Sequence, residues 1–200
     1  AFPTVKSPNP EDPAALTMGI ELAKKVGASL VFGTDPDSDR LGIAARTEEN
    51  GEVVYKCFTG NQVGLMLLDY ILDSKKRLGT LEDNSFACTT IVSTKLCASV
   101  CREYGVELQE TLTGFKYIGE QIEGIRAGEE FIFGMEESCG YLSNCQVRDK
   151  DGVNAALLLC EMAQEYKDQG LTLHDKMERL YQEYGFYLNT QRSFKFEGTG

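Results

Sequence analysis

Three aspartates alternate at positions 35, 37 and 39 in the stretch Thr34-Asp35-Pro36-Asp37-Ser38-Asp39-Arg40. Carboxylates at i, i+2 and i+4 of a turning loop can converge on one hard divalent cation, because such a cation takes oxygen donors and little chain must be ordered to gather them. Two other readings exist. A calcium loop of the helix–loop–helix kind, counted from Asp35, needs glycine sixth and glutamate twelfth, where this chain has Arg40 and Arg46. An acidic solvated turn needs nothing beyond the aspartates themselves. A ligand site is favoured by what flanks the loop: Arg40 follows it, and the run Ser29-Leu30-Val31-Phe32-Gly33 before it reads as a short buried strand. The carboxyl end of a strand is where open α/β sheets bind ligands.

Three further loops carry polar groups at the ends of predicted elements. In Gly134-Met135-Glu136-Glu137-Ser138-Cys139-Gly140, Glu136 offers acceptors and Ser138 both donates and accepts, which suits the hydroxyls of a sugar ring. Helix capping by Ser138 or Glu137 explains the same residues equally well. Thr111-Leu112-Thr113-Gly114-Phe115-Lys116 opens a helix, with Thr113 as candidate N-cap. Arg148-Asp149-Lys150-Asp151-Gly152 precedes a long apolar helix and reads as a charged connector capped by Asp151; Lys150 would serve as proton donor or phosphate contact if a neighbour lowered its pKa.

The elements that must position these loops follow from periodicity and turn chemistry. Asp12-Pro13 reads as an N-cap with proline at the first helical position, and the apolar repeat Leu16, Ile20, Ala23 runs to a stop at Gly27. Leu41 to Ala45 and Glu52 to Cys57 form a hairpin turned at Asn50-Gly51. From Gly60 helix and strand alternate: helix 62–73, strand 86–92, helix 94–104, strand 106–110, helix 115–125, strand 130–134. That rhythm predicts an α/β fold, a mostly parallel mixed sheet flanked by helices. Two helices, 154–166 and 173–184, and a strand-like stretch 186–196 complete it. The rhythm changes near Cys57, so residues 1–57 and 58–190 are expected as separate domains, with 191–200 as a linker. A helix, one buried strand and a hairpin cannot cover an apolar strand on both faces, which marks 1–57 as part of a larger domain and the chain as a fragment.

Composition narrows the class. The 200 residues are 42% hydrophobic and 26% charged, an ordinary globular balance, with length enough for a core that needs no disulfide or metal staple. A net charge of −11 disfavours nucleic-acid backbones and anionic membrane surfaces. An anionic substrate must then meet local cations or a metal. There is no apolar run of membrane-spanning length and no secretory leader pattern, and seven cysteines lie scattered through apolar segments, as reduced thiols in the cytoplasm would. Cys97 and Cys101, four apart on one helix face, read as small core residues, since no further Cys or His completes a zinc set.

The aspartate loop, Thr-Gly-Phe-Lys, Gly-Met-Glu-Glu-Ser-Cys-Gly and Arg-Asp-Lys-Asp-Gly, in this order and spacing, resemble the α-D-phosphohexomutase family, its phosphoglucomutase branch in particular. The resemblance covers essentially the whole chain, and the pair formed by the aspartate loop and the Glu-x-Ser loop is what makes it specific. It implies the end of domain 2 and the whole of domain 3 of a four-domain enzyme. Asp35, Asp37 and Asp39 would bind Mg2+, with Arg40 beside a phosphoserine. Glu136 and Ser138 would receive the sugar hydroxyls, Thr113 and Gly114 would line the site, and Lys150 would be the general acid/base. The parent would interconvert glucose 1-phosphate and glucose 6-phosphate through glucose 1,6-bisphosphate. The chain departs from the family pattern at Pro36 and Ser38, where glycines are frequent, and shows no phosphoserine loop or terminal phosphate loop, so the fragment alone is expected to be inactive.

Three rivals keep part of this reading. A phosphomannomutase or phosphopentomutase would share the loops and change the sugar. A non-catalytic module would use the acidic loop structurally. A phosphatase with the first Asp as nucleophile is disfavoured, because Asp39 stands where its Asp-x-Asp-x-Thr pattern has Thr.

Overall fold

The computed structural model describes residues 2–190. After a single 3-10 turn, Pro13–Leu16, the elements are α1 (Thr17–Val26), β1 (Leu30–Thr34), β2 (Leu41–Glu49), β3 (Glu52–Cys57), α2 (Gly60–Leu78), β4 (Ser85–Thr90), α3 (Leu96–Tyr104), β5 (Glu107–Thr111), α4 (Phe115–Glu123), β6 (Glu130–Glu136), β7 (Gly140–Leu142), α5 (Gly152–Asp168) and α6 (Leu173–Tyr184). Two of the start signals act as read, Asp12 on the 3-10 turn rather than on α1 itself, whose N-cap is Leu16. Asp12 accepts from the Ala14 N–H at 2.9 Å ahead of Pro13, and Asp151 accepts from the Asn154 N–H at the start of α5. Asn50 and Gly51 both adopt positive φ, 53° and 80°, the pair of left-handed residues that a tight hairpin between right-twisted strands requires. Among the described residues no helix is long and apolar enough to cross a membrane.

Two sheets result. The first is antiparallel, in the order β1-β2-β3; the second has the order β5-β4-β6-β7, with β4, β5 and β6 parallel and β7 antiparallel to β6. The second is the mixed α/β sheet that the alternating rhythm predicts. It continues into the first sheet through the Arg40–Gly140 bridge and a bond from the Leu41 N–H to the Cys139 carbonyl at 2.9 Å. One hydrophobic core spans the junction: Leu41, Ile43 and Ala45 of β2 pack in the same cluster as Leu65, Leu68 and Leu72 of α2, Leu159 of α5 and Leu180 of α6. A smaller cluster, Phe86, Phe131, Phe115, Ile118 and Ile122, fills the face under α4. Cys97 and Cys101 are buried core residues whose thiols burial pushes upward, that of Cys101 to about 12.

Three expectations change. The strand before the aspartates is not buried throughout: β1 is a sheet edge with α1 on one face only, so Val31 is covered while Phe32 stays 36% exposed. Residues 186–190 form no strand, and 191–196 of that stretch, like the linker 191–200, lie outside the described residues. No helix follows Glu136; residues 137–139 turn the chain from β6 into β7, which removes the capping explanation of Glu137 and Ser138.

Candidate active site

The aspartate loop leaves the carboxyl end of β1 and returns as β2. Its turn is closed by the Arg40 N–H donating to Asp35 Oδ1 at 3.1 Å and by Ser38 in the left-handed region at φ 61°. Carboxylate oxygens of Asp35, Asp37 and Asp39 thereby come within 4.8 Å of one another. Burial, helped by the charges of Asp39 and Asp37, raises the Asp35 pKa against the opposing bond from Arg40. Oδ1 of Asp39 is buried with no hydrogen-bond partner among the described residues. A buried acceptor left unsatisfied beside two further carboxylates fits a hard, oxygen-seeking cation, which would satisfy the orphan oxygen and relieve the mutual repulsion.

Two cations border the cluster. Arg40 Nη1 donates to Glu11 at 2.8 Å, and its Nε stands 3.9 Å from Asp35 and 4.0 Å from Asp39. Lys150 Nζ lies 3.0 Å from Asp39 Oδ2 and 3.2 Å from Asp149, with the Phe115 ring 5.7 Å below it. Burial works to lower the Lys150 pKa, but the bonds to Asp39 and Asp149 outweigh it and the net shift is upward. The condition under which Lys150 would give up its proton readily is therefore not met. It stands as a charged ammonium, suited in this state to holding an anion.

Glu136 ends β6 buried, its Oε1 accepting from the Gly114 N–H at 2.8 Å. Burial raises its pKa, while the Gly114 bond and the charges of Lys150 and Arg40 pull the other way. Gly114, not Thr113, is the N-cap of α4, and it makes no side-chain cap. Its φ of 121° aims its N–H at Glu136, so Thr113 is left exposed on the wall of an adjoining cleft of about 560 Å³ that Thr59, Asn61, Glu137 and Cys139 also line. Ser138 stands half-buried at the turn next to them. The structure thus gathers Asp35, Asp37, Asp39, Arg40, Lys150, Glu136 and Gly114 through direct contacts or mutual charge, and leaves Thr113 and Ser138 at the rim.

Four participants have no role assigned by the sequence, although three of them stand inside its motifs. Glu11 reaches Arg40 across 29 residues. Gly140 leaves the room that the Lys150 stem occupies, and Gly152 the room for the Ser38 and Arg40 carbonyls: a Cβ would sit 2.3 Å from Lys150 Cδ at the first and 2.6 Å from Ser38 O at the second. Phe115 reads only as the first apolar residue of its helix. A separate groove of about 490 Å³, walled by Leu30, Ala45, Val53, Ala163 and Leu171, lies apart from all these carboxylates.

Residues 59–184 match the family described as phosphoglucomutase/phosphomannomutase, alpha/beta/alpha domain III, and residues 1–51 match its alpha/beta/alpha domain II. The chain belongs to the phosphoglucomutase/phosphomannomutase family. Among curated family members, the phosphoglucomutase of Staphylococcus aureus (strain USA300) is 42% identical over 197 residues, which is 98% of this chain and 34% of the relative. The chain therefore spans about a third of the length of the curated relatives it matches. In the solved structures, a phosphoglucomutase/phosphomannomutase family protein from Burkholderia thailandensis shares the fold with a TM-score of 0.64 at 20% identity, covering 86% of this chain and 33% of that one. An Aspergillus fumigatus N-acetylphosphoglucosamine mutase, solved in complex with GlcNAc-6P and magnesium, does so with a TM-score of 0.53 at 14% identity, covering 74% and 32%.

Proposed function

We propose that this chain is the metal-loop and sugar-loop portion of a phosphoglucomutase, the parent enzyme interconverting glucose 1-phosphate and glucose 6-phosphate through a phosphoserine and glucose 1,6-bisphosphate. On this reading residues 1–57 complete domain 2, 58–190 form domain 3 and 191–200 lead toward a fourth domain. The observation that carries it is the Lys150 ammonium, which touches Asp39 of the aspartate cluster while its charge acts on Glu136 of the Glu-x-Ser loop. One cation thus links the two loops a phosphosugar must bridge.

Asp35, Asp37 and Asp39 would hold Mg2+, which when bound supplies a fixed positive charge against the negative charge spread over a moving phosphoryl group. Arg40, with Nη1 tied to Glu11, keeps its guanidinium beside the cluster, where a phosphoserine oxygen would meet it. Glu136 has Oε1 committed to Gly114, so Oε2 is the oxygen free for sugar hydroxyls; Ser138 supplies a second donor and acceptor on the same turn, and Thr113 with Gly114 lines the approach. Lys150 holds its proton at Nζ and would deliver it to a departing sugar oxygen only once the bonds to Asp39 and Asp149 that raise its pKa are released. All seven cysteines are unpaired, which supports a reducing, cytoplasmic setting.

The test is a coupled assay on the full-length parent with glucose 1-phosphate, glucose 1,6-bisphosphate and Mg2+. Turnover that falls about tenfold or more in Ser138→Ala, and further in Glu136→Ala, supports the reading. Wild-type kcat/KM in both variants removes the sugar loop from it. The isolated chain should stay at background, because no residue in it supplies a phosphoryl donor.

A further inference from the structure

Glu136, the last residue of β6, and Glu137, the first of the turn that follows, send their side chains to different neighbours. Glu136 turns toward α4 and takes the Gly114 N–H. Glu137 turns toward β4, where its Oε2 accepts from Thr90 Oγ1 at 3.0 Å. An ionised carboxylate only accepts, so the Thr90 hydroxyl spends its proton there, and the contact between Thr90 and Ser93 at 2.9 Å then has Ser93 as donor. Thr90 is fully buried and Ser93 is 2% exposed. The chain Ser93 to Thr90 to Glu137 therefore runs one way and ends on the turn that carries Ser138.

The backbone of that turn is fixed by contacts of a different kind. Gly60, the first residue of α2, sits so close that a Cβ on it would fall 2.0 Å from the Glu137 carbonyl oxygen. Cys139 is held at φ 65° with its carbonyl accepting from Leu41. A left-handed, β-unbranched but non-glycine residue persists only where its surroundings over-determine it. Among the side chains of residues 137–139, Glu137 makes the bond that ties the turn to the central strand β4.

We propose that Glu137 is the positioning residue of the sugar loop: it pins the turn to Thr90 so that Glu136 and Ser138 present their oxygens on one side, without itself contacting the sugar. This rests on the reading of Glu136 and Ser138 as sugar contacts. An interaction that holds a binding group in place acts on ground state and transition state alike, so its loss shows in KM more than in kcat.

The experiment is a double-mutant cycle in the full-length parent, with Glu137→Ala, Thr90→Val and the pair, plus Glu137→Gln and Thr90→Ser as conservative versions that keep the acceptor and the donor. Glu137→Ala and Thr90→Val each raise KM for glucose 1-phosphate about tenfold with kcat within twofold, and the double variant is no worse than either. Glu137→Gln and Thr90→Ser recover most of the loss, and Mg2+ affinity is unchanged throughout. Thr90→Val at wild-type KM while Glu137→Ala is impaired would mean that Glu137 touches the sugar directly, and overturns the proposal; so do multiplicative losses in the double variant. Should Glu137→Ala fail to fold, Thr90→Val against Thr90→Ser decides the same point. Amide resonances of Glu136 and Ser138 separate the two levels of the argument. If the wild-type parent does not turn over glucose 1-phosphate, yet Glu137→Ala and Thr90→Val shift those amides alike, the pinning stands and the sugar reading falls; unlike shifts remove the pinning itself.

Discussion

The stem of Lys150 crosses directly over Gly140, and its ammonium comes to rest 3.0 Å from Oδ2 of Asp39. A residue at the start of one strand thus sets where a cation from a distant loop can stand, because only a hydrogen at position 140 leaves that path open.

Gly140→Ala should separate function from stability. The new methyl meets the stem of Lys150, which can swing aside, so the loss in unfolding free energy stays near the low end of the about 1–3 kcal/mol usual for overpacking while the ammonium leaves Asp39. Gly60→Ala meets the backbone at Glu137 instead and should cost about 1–3 kcal/mol or more. Urea unfolding of both variants checks this; equal losses would show the Lys150 stem to be as fixed as backbone.

Mn2+ titrated into the chain should bind weakly at the aspartate loop, where water must complete the shell. Asp37→Ala is expected to weaken it about tenfold or more, a change of about 1.4 kcal/mol. Asp168→Asn removes one exposed negative charge at the far end of α5 and should leave the isotherm in place. Calorimetry that cannot tell the two variants apart would reduce the loop to an acidic turn.

Asp69 is buried on α2 and pairs with Lys176 of α6, while the Tyr104 hydroxyl donates to it from 3.5 Å. Removing one partner leaves an uncompensated charge, so Lys176→Met should destabilise by about 3–5 kcal/mol. Replacing both, Asp69→Leu with Lys176→Met, should cost less than either alone. Thermal unfolding of the three variants gives the coupling directly.

Acid should erode stability first through His174, the chain's single histidine. Burial lowers its pKa below the ordinary 6.5, outweighing the bond between Nε2 and the Ala45 carbonyl at 3.3 Å. The unfolded chain therefore takes up the proton first. The His174 contribution is complete above pH 6.5, declines as pH falls from there through the folded value, and is constant below it. His174→Gln should flatten this part of a Tm-versus-pH curve.

What the sequence made legible was whatever a few neighbouring residues decide. Asp12-Pro13, Asn50-Gly51 and Asp151 act through local backbone chemistry, and the helix–strand rhythm from Gly60 reflects periods that burial imposes on contiguous residues. The convergence of Asp35, Asp37 and Asp39 is of this kind too, since five residues of one loop contain it. The rest depended on partners far along the chain. The three residues of β7 carry no strand pattern of their own and exist because β6 offers an edge. Thr113 has the chemistry of a cap, yet Gly114 takes that place because Glu136, 22 residues on, claims its N–H. Lys150 required a neighbour's charge to be understood, and Asp39 is 111 positions away.

The core shared by β2 with α2, α5 and α6 makes the boundary between the two sheets a change of direction rather than a seam. Leu41, Ile43 and Ala45 have their apolar partners on the far side of it, and the Leu41 amide is bonded there as well. Slow hydrogen exchange should then extend from β6 into β2 with a common opening energy, as in a single cooperative unit. By the same reasoning, a cut at residue 58 would leave the second sheet its own core but strip the cover that Leu41, Ile43 and Ala45 give to the helices packed against them, so the shortened piece should unfold at lower urea than the whole chain.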